Sequence, residues 1–247
     1  MSWESALPIL LGALAGGFIN GLAGFGTALF ALGFFLSVLA PPQAVALVVF
    51  LSVASGLQGV WIVRHTIAAE RPRLIRFLLP GLIGIPVGVA ALSVLDARML
   101  TLVVAFFLIL YGGYFSLRST LPRIEGERPV ADMAVGLMGG ILGGAASLSG
   151  ALPTMWCSMR PWPKAEIRAV LQPYNVVILS LTAAALALRG AYTKEVLVAM
   201  VIAVPAAMVA AQIGIYAFAR LPEALFRRLL IALTLVSGTI LTLRTLL

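Results

Sequence analysis

The chain has 247 residues and a mass of 26.0 kDa; 62% of its residues are apolar, 11% are charged, and the mean hydropathy is +1.09. No soluble domain leaves so much apolar surface in water, which excludes nucleic-acid binders, secreted disulfide scaffolds and soluble enzymes. The net charge of +8 then reads as Lys and Arg gathered in the short cytoplasmic connections of a membrane protein.

The N-terminal MSWESALPILLGALAGG carries Glu4 where a secretory signal has basic residues, and its apolar character runs far past an h-region, so it is expected to stay in the mature protein. No charged side chain occurs between Glu4 and Arg64, a stretch of 59 residues. A hydrocarbon core of about 30 Å is crossed by roughly twenty helical residues. Breaks in the apolar pattern therefore divide the chain into segments 5–40, 43–63, 77–95, 99–117, 133–159, 169–188, 196–219 and about 222–243. Sliding the sequence by 123 sets Gly21 on Gly144, Ala28-Leu29 on Ala151-Leu152 and Ala46 on Ala169. Shifts of 125 to 126 set Pro80 on Pro205 and Gly88 on Gly214. The reading is an internal duplication, with a first repeat over 1–122, a linker over 123–132 and a second repeat over 133–247.

Of the 17 Lys and Arg residues, all but Arg98, Arg189, Lys194 and Arg244 fall in four connections near 64–76, 118–132, 160–168 and 220–228. With those connections cytoplasmic, the three later segments of each half cross once, and both termini are expected outside. Segments 5–40 and 133–159 must then return to the face they entered by. At 36 and 27 residues they are too long for one helix and short for two crossings, so each is expected to be a helix, a glycine-rich break and a second helix. Repeats with an odd number of crossings insert upside down relative to each other, a transporter signature. The fold class is thus an all-α polytopic membrane protein of two inverted repeats, each a broken hairpin plus three crossing helices. A competing account makes 133–159 one long tilted helix, with 160–168 outside.

Candidate chemistry lies at the breaks. Asn20, Gly24, Phe25, Gly26 and Thr27 belong to the first, and Ser147, Ser149 and Gly150 to the second. A helix following each break aims unpaired amide N–H groups at the interior, and the hydroxyls and amide add short donors, an environment for an oxyanion. The spacings Gly12-xxx-Gly16 and Gly17-xxx-Gly21 also suit plain helix packing. Gln172 and Asn175 share one helix face beside Pro173, and Ser52 holds the position of Asn175 in the first half. Such amides also serve to bind helices together. Trp156 and Tyr174, with Phe25, are candidate walls of the same pocket; Arg168 either lends charge at its mouth or snorkels to the headgroups.

Absences narrow the class. No phosphate-binding G-x-x-x-x-G-K-[ST] loop occurs, and His65, the one histidine, sits in a basic connection away from Ser149. The lone Cys157 permits neither an intrachain disulfide nor a thiolate metal cluster. No acidic residue is expected deep in a span; Asp132 and the others fall at segment ends or in connections. No enzyme activity, metal or other cofactor, or nucleic-acid partner is expected. A small anion, membrane lipid and a second copy of the chain are the expected partners.

The sequence resembles the sulfite exporter TauE/SafE family, also called the toluene-sulfonate uptake permease family, over nearly its whole length. The likeness rests on the glycine-rich openings Gly17 to Thr27 and Gly140 to Pro153, on Pro41-Pro42-Gln43-Ala44-Val45-Ala46, on Trp162-Pro163-Lys164 running into Arg168 through Tyr174, and on the glycine-spaced helices at Pro80 and Pro205. It implies a multi-pass carrier of sulfur oxyanions or organosulfonates in a bacterial cytoplasmic membrane. Where the family commonly has Gly-x-Gly-Gly and Gly-Gly-Pro or Gly-Pro-Pro, this chain has Gly24-Phe25-Gly26-Thr27 and Ser149-Gly150-Ala151. Those changes alter the donors a ligand meets. The expected function is alternating-access transport of a small sulfur-containing anion, one half rocking against the other; an anion channel, or a carrier of a non-sulfur organic anion, shares the composition.

Overall fold

The structure, a computed structural model, describes residues 3–116, 124–220, 235, 238, 239, 242 and 243. Among them are nine helices and no strand: α1 (Trp3–Ala23), α2 (Thr27–Phe35), α3 (Pro41–Ile67), α4 (Arg71–Leu92), α5 (Ala97–Ser116), α6 (Pro129–Ala146), α7 (Ala151–Ser158), α8 (Lys164–Leu188) and α9 (Lys194–Arg220). Helices α1, α3, α4, α6, α8 and α9 are long and apolar enough to cross a bilayer. The chain is an all-α polytopic membrane protein. The expected segment at 222–243 lies mostly outside the described residues.

Several helices start before the apolar run does: α4 at Arg71 instead of 77, α6 at Pro129 instead of 133, and α8 at Lys164 instead of 169. Arg, Lys and Glu are good helix formers, so a charged first turn extends the helix out of the apolar layer. Proline opens α3 and α6 and sits second in α4, where its missing N–H costs no helical hydrogen bond.

Both over-long segments are broken helices. Helices α2 and α7, at 9 and 8 residues, are only about 14 and 12 Å long, so neither crosses. In the second half the chain demonstrably returns: Ile124 N–H donates to Met159 O at 2.8 Å, and Arg160 Nη2 donates to Gly126 O at 2.5 Å. Residues before α6 and after α7 thus lie side by side, which rules out one tilted helix over 133–159. In the first half α2 folds back along α1; a Cβ on Gly16 would meet Thr27 Cγ2 and Ala31 Cβ at 2.9 Å, and one on Gly12 would meet the Phe35 ring at 2.6 Å.

Among the described residues, the basic connections near 70–76, 124–128 and 160–166 share one face. Arg73 bonds both Glu70 (2.6 Å) and Glu166 (2.7 Å), Arg76 bonds Glu127 at 2.8 Å, and the guanidinium groups of Arg73 and Arg160 lie 4.6 and 5.3 Å from the Trp162 ring centre. On the opposite face Gln43 Nε2 donates to Thr193 Oγ1 at 3.1 Å and Arg189 Nη1 to Val89 O at 2.9 Å. There Tyr192 donates to Ala46 O at 3.3 Å; burial pushes its phenol up to about 12, so it remains a donor at neutral pH.

Helices α3 and α8 cross at the centre, with residues 44–49 of α3 wholly buried. Around them α1 packs along α9 and α4 along α6, each pair parallel and in close backbone contact. A Cβ on Gly17 or Gly21 would strike the backbone of Ala207 or Ala211; one on Gly136 or Gly140 would strike Phe77 or Gly81. The Gly17-xxx-Gly21 spacing is therefore packing surface, as the plainer reading held. Because α1 and α6 are the opening helices of the two repeats, and α9 and α4 their fourth, the pattern is consistent with an inverted duplication. Outward stripes such as Leu79, Ile83 and Val87 on α4 are apolar and exposed, as contact with hydrocarbon requires.

Candidate functional site

The two breaks meet α3 and α8 near the middle of their spans. A tight cavity there, with a volume of about 20 Å³, is lined by Asn20, Gly24, Phe25, Gly26, Thr27, Leu29, Ser52, Gly56, Ser147, Leu148, Ser149, Gly150, Ala151, Gln172, Asn175, Val176 and Leu179. The lining is consistent with a duplication: with the offset of 123, Gly24 falls on Ser147, Gly26 on Ser149, Thr27 on Gly150 and Ser52 on Asn175.

Each break needs left-handed backbone. Gly24 has φ +80° and Gly26 +97°, values a side chain rarely tolerates. Ser147, in the position equivalent to Gly24, has φ +59° and is the one positive-φ residue other than glycine among the described residues. It ends α6, its N–H on Gly143 O at 3.0 Å, and turns the chain toward α7. Holding a serine there costs about 1–2 kcal/mol. The return is a hydroxyl placed in the cavity.

Hydrogen bonding separates scaffold from open groups. Asn20 Nδ2 donates to Ser55 Oγ (2.5 Å) and Ser52 O (3.4 Å), while Ser52 and Ser55 hydroxyls donate to Val48 O and Leu51 O at 2.8 and 2.6 Å. These groups tie α1 to α3. Ser149 Oγ donates to Asn175 Oδ1 at 2.9 Å, and Gln172 Nε2 to Gly56 O at 3.2 Å. Thr27 Oγ1, Ser147 Oγ, Asn175 Nδ2 and Gln172 Oε1 have no protein partner, in side chains no more than 6% exposed. Three of the four can donate. The first turns of α2 and α7 open onto the same space, adding partial positive charge. No acidic side chain lines it. Such a lining stabilises acceptor oxygens and negative charge and offers a metal cation no carboxylate or thiolate; no cluster of three or more His, Cys, Asp or Glu occurs among the described residues.

Two of the expected walls face elsewhere. Tyr174 is buried between α4 and α6, its hydroxyl donating to Gly136 O at 2.7 Å and its ring edge-on to Phe77. Trp156 donates Nε1 to Asp132 Oδ1 at 2.7 Å. Asp132, read from sequence as an end residue, is in the first turn of α6 and wholly buried. Arg168 is not itself in the lining but sits beside it: Nη2 lies 3.4 Å from Gly21 O, and a Cβ on Gly24, which does line the cavity, would be 3.8 Å from Nε. Sequence reasoning missed Leu29, Gly56, Leu148, Ala151, Val176 and Leu179. One helical turn beyond Ser52 and Asn175 gives Gly56 and Leu179, so the spacing held that signal.

Fold and cavity together define a polytopic helical membrane protein with a buried, donor-lined compartment between broken helices. The family profile described as Sulfite exporter TauE/SafE matches residues 9–241. The chain belongs to that family of membrane transporters, which is not an enzyme class. No curated protein and no solved structure matches it.

Proposed function

We propose that this protein moves a small sulfur oxyanion or short organosulfonate, sulfite being the simplest, across the bacterial cytoplasmic membrane by alternating access. The basic connections face the cytoplasm and the N-terminal end of α1 lies outside. The observation that carries the reading is the set of unpartnered donors, contributed by both breaks and by α8, buried midway along α3 and α8 with no carboxylate beside them. Broken helices around a midplane site are how secondary carriers expose polar backbone to a solute while shielding it from lipid.

Reconstituted vesicles test the proposal. Thr27→Val removes one donor at nearly constant volume, Asn175→Ala removes the amide together with the acceptor of the Ser149 hydroxyl, and each is expected to lower saturable sulfite flux about tenfold or more with normal insertion. Parental flux in both variants overturns the assignment. Counterflow of labelled sulfite, which a carrier supports and a channel does not, decides the transport mode.

A further inference from the structure

Of the unpartnered side-chain atoms that line the cavity, Gln172 Oε1 alone accepts without being able to donate, and it is held in place. Gln172 Nε2 donates to Gly56 O, and turning the amide over would set Oε1 against that carbonyl, so the hydrogen bond fixes which atom faces the first break. Glycine makes the slot it occupies. A Cβ at Gly59 would meet Gln172 Cδ at 2.6 Å, and one at Gly24 would meet Oε1 at 2.6 Å. The side chain is 2% exposed, and Oε1 has no partner.

A buried carbonyl oxygen carries partial negative charge. It repels a bare oxyanion oxygen and is satisfied only by a donor. Thr27, Ser147 and Asn175 can satisfy the anionic oxygens of a ligand, but none of them answers Gln172. We propose that the site selects the proton-bearing form of its anion, with Gln172 Oε1 accepting the ligand's hydrogen: hydrogensulfite in preference to the sulfite dianion. The inference rests on the cavity being the anion site. The charged group next to Gln172 is Arg168, one turn earlier on α8; it favours the dianion, so it opposes the preference and cannot create it. The first break presents Gly24 to the amide and α3 presents Gly56 and Gly59, none of which titrates; His65 and Arg64 are exposed farther along α3. A cargo that brings its own proton links flux to the proton gradient without a carboxylate in the site.

The test is equilibrium binding to the purified full-length protein across the pH range in which hydrogensulfite becomes sulfite. Methanesulfonate, a monoanion with no hydroxyl over that range, is the reference ligand. Apparent sulfite affinity is expected to fall with rising pH in proportion to the remaining hydrogensulfite, while methanesulfonate binds about tenfold more weakly and without pH dependence. Gln172→Met keeps the bulk, removes the acceptor, and is expected to lose about tenfold at low pH and little at high pH. Sulfite affinity that is flat or rises with pH, or a parental profile in Gln172→Met, overturns the proposal. If that variant fails to fold, the parent's sulfite and methanesulfonate profiles still decide. Failure of the parent to bind either anion overturns the site reading and this inference together, whereas binding that follows the dianion overturns this inference alone.

Discussion

Ser147 and Gly24, one in each break and 123 residues apart, share left-handed backbone, yet they contribute differently to the cavity. Ser147→Gly relieves the strain of a side chain at φ +59° but gives the unfolded chain more freedom, so thermal unfolding is expected to place it within about 1 kcal/mol of the parent. Sulfite binding should fall even so, because the hydroxyl is gone. Gly24→Ala works the other way: its methyl would meet Gln172 Oε1 at 2.6 Å in a backbone conformation alanine disfavours, and about 1–3 kcal/mol of stability should be lost with the amide's position. At this scale the sequence was informative where backbone chemistry was unusual. Thr27, Ser147 and Ser149 stood out because hydroxyls beside glycines interrupt an apolar run. Tyr174 did not reveal its direction: successive helical residues turn by about 100°, so the neighbour of Asn175 faces α4 and α6 while Asn175 faces the cavity.

At the scale of elements, the two broken helices could be read from length alone, since neither 5–40 nor 133–159 suits one crossing or two. Their ends could not, because hydrophobic patterning stops where charged helical turns continue. What holds α7 back against α6 was also hidden in the sequence: the bond from Trp156 Nε1 to a buried Asp132 joins residues that no local spacing connects. Trp156→Phe leaves that carboxylate oxygen without its donor. Leaving a buried acceptor without its donor should cost about 1–3 kcal/mol, measurable as a lower midpoint of unfolding in detergent. An unchanged midpoint would show that the bond does not anchor the hairpin.

Over the whole molecule, the distribution of Arg and Lys anticipated that the described connections near 70–76, 124–128 and 160–166 lie together, because the cost of moving charge through hydrocarbon sorts them to one face. Thiol labelling checks this directly. The one native cysteine, Cys157, is buried, and a Cys157→Ser background leaves single cysteines at Glu127, Trp162 and Thr193 to be reported separately. Impermeant reagent is expected to reach Glu127→Cys and Trp162→Cys from one side of sealed vesicles and Thr193→Cys from the other. Labelling of the first two from opposite sides would refute the re-entrant second hairpin. What sequence symmetry left hidden was the partnering of helices, since a repeat says which segments are alike and not which ones touch.

The close seating of α1 on α9 and of α4 on α6 has a mechanical consequence. At each seam the carbonyls of one helix occupy the room that glycine leaves on the other, so the two slide or separate only by giving up that fit. Each seam also joins the opening helix of one copy to the fourth helix of the other. A hinge therefore cannot simply follow the boundary between the two halves of the chain: whatever swings must carry helices of both halves together.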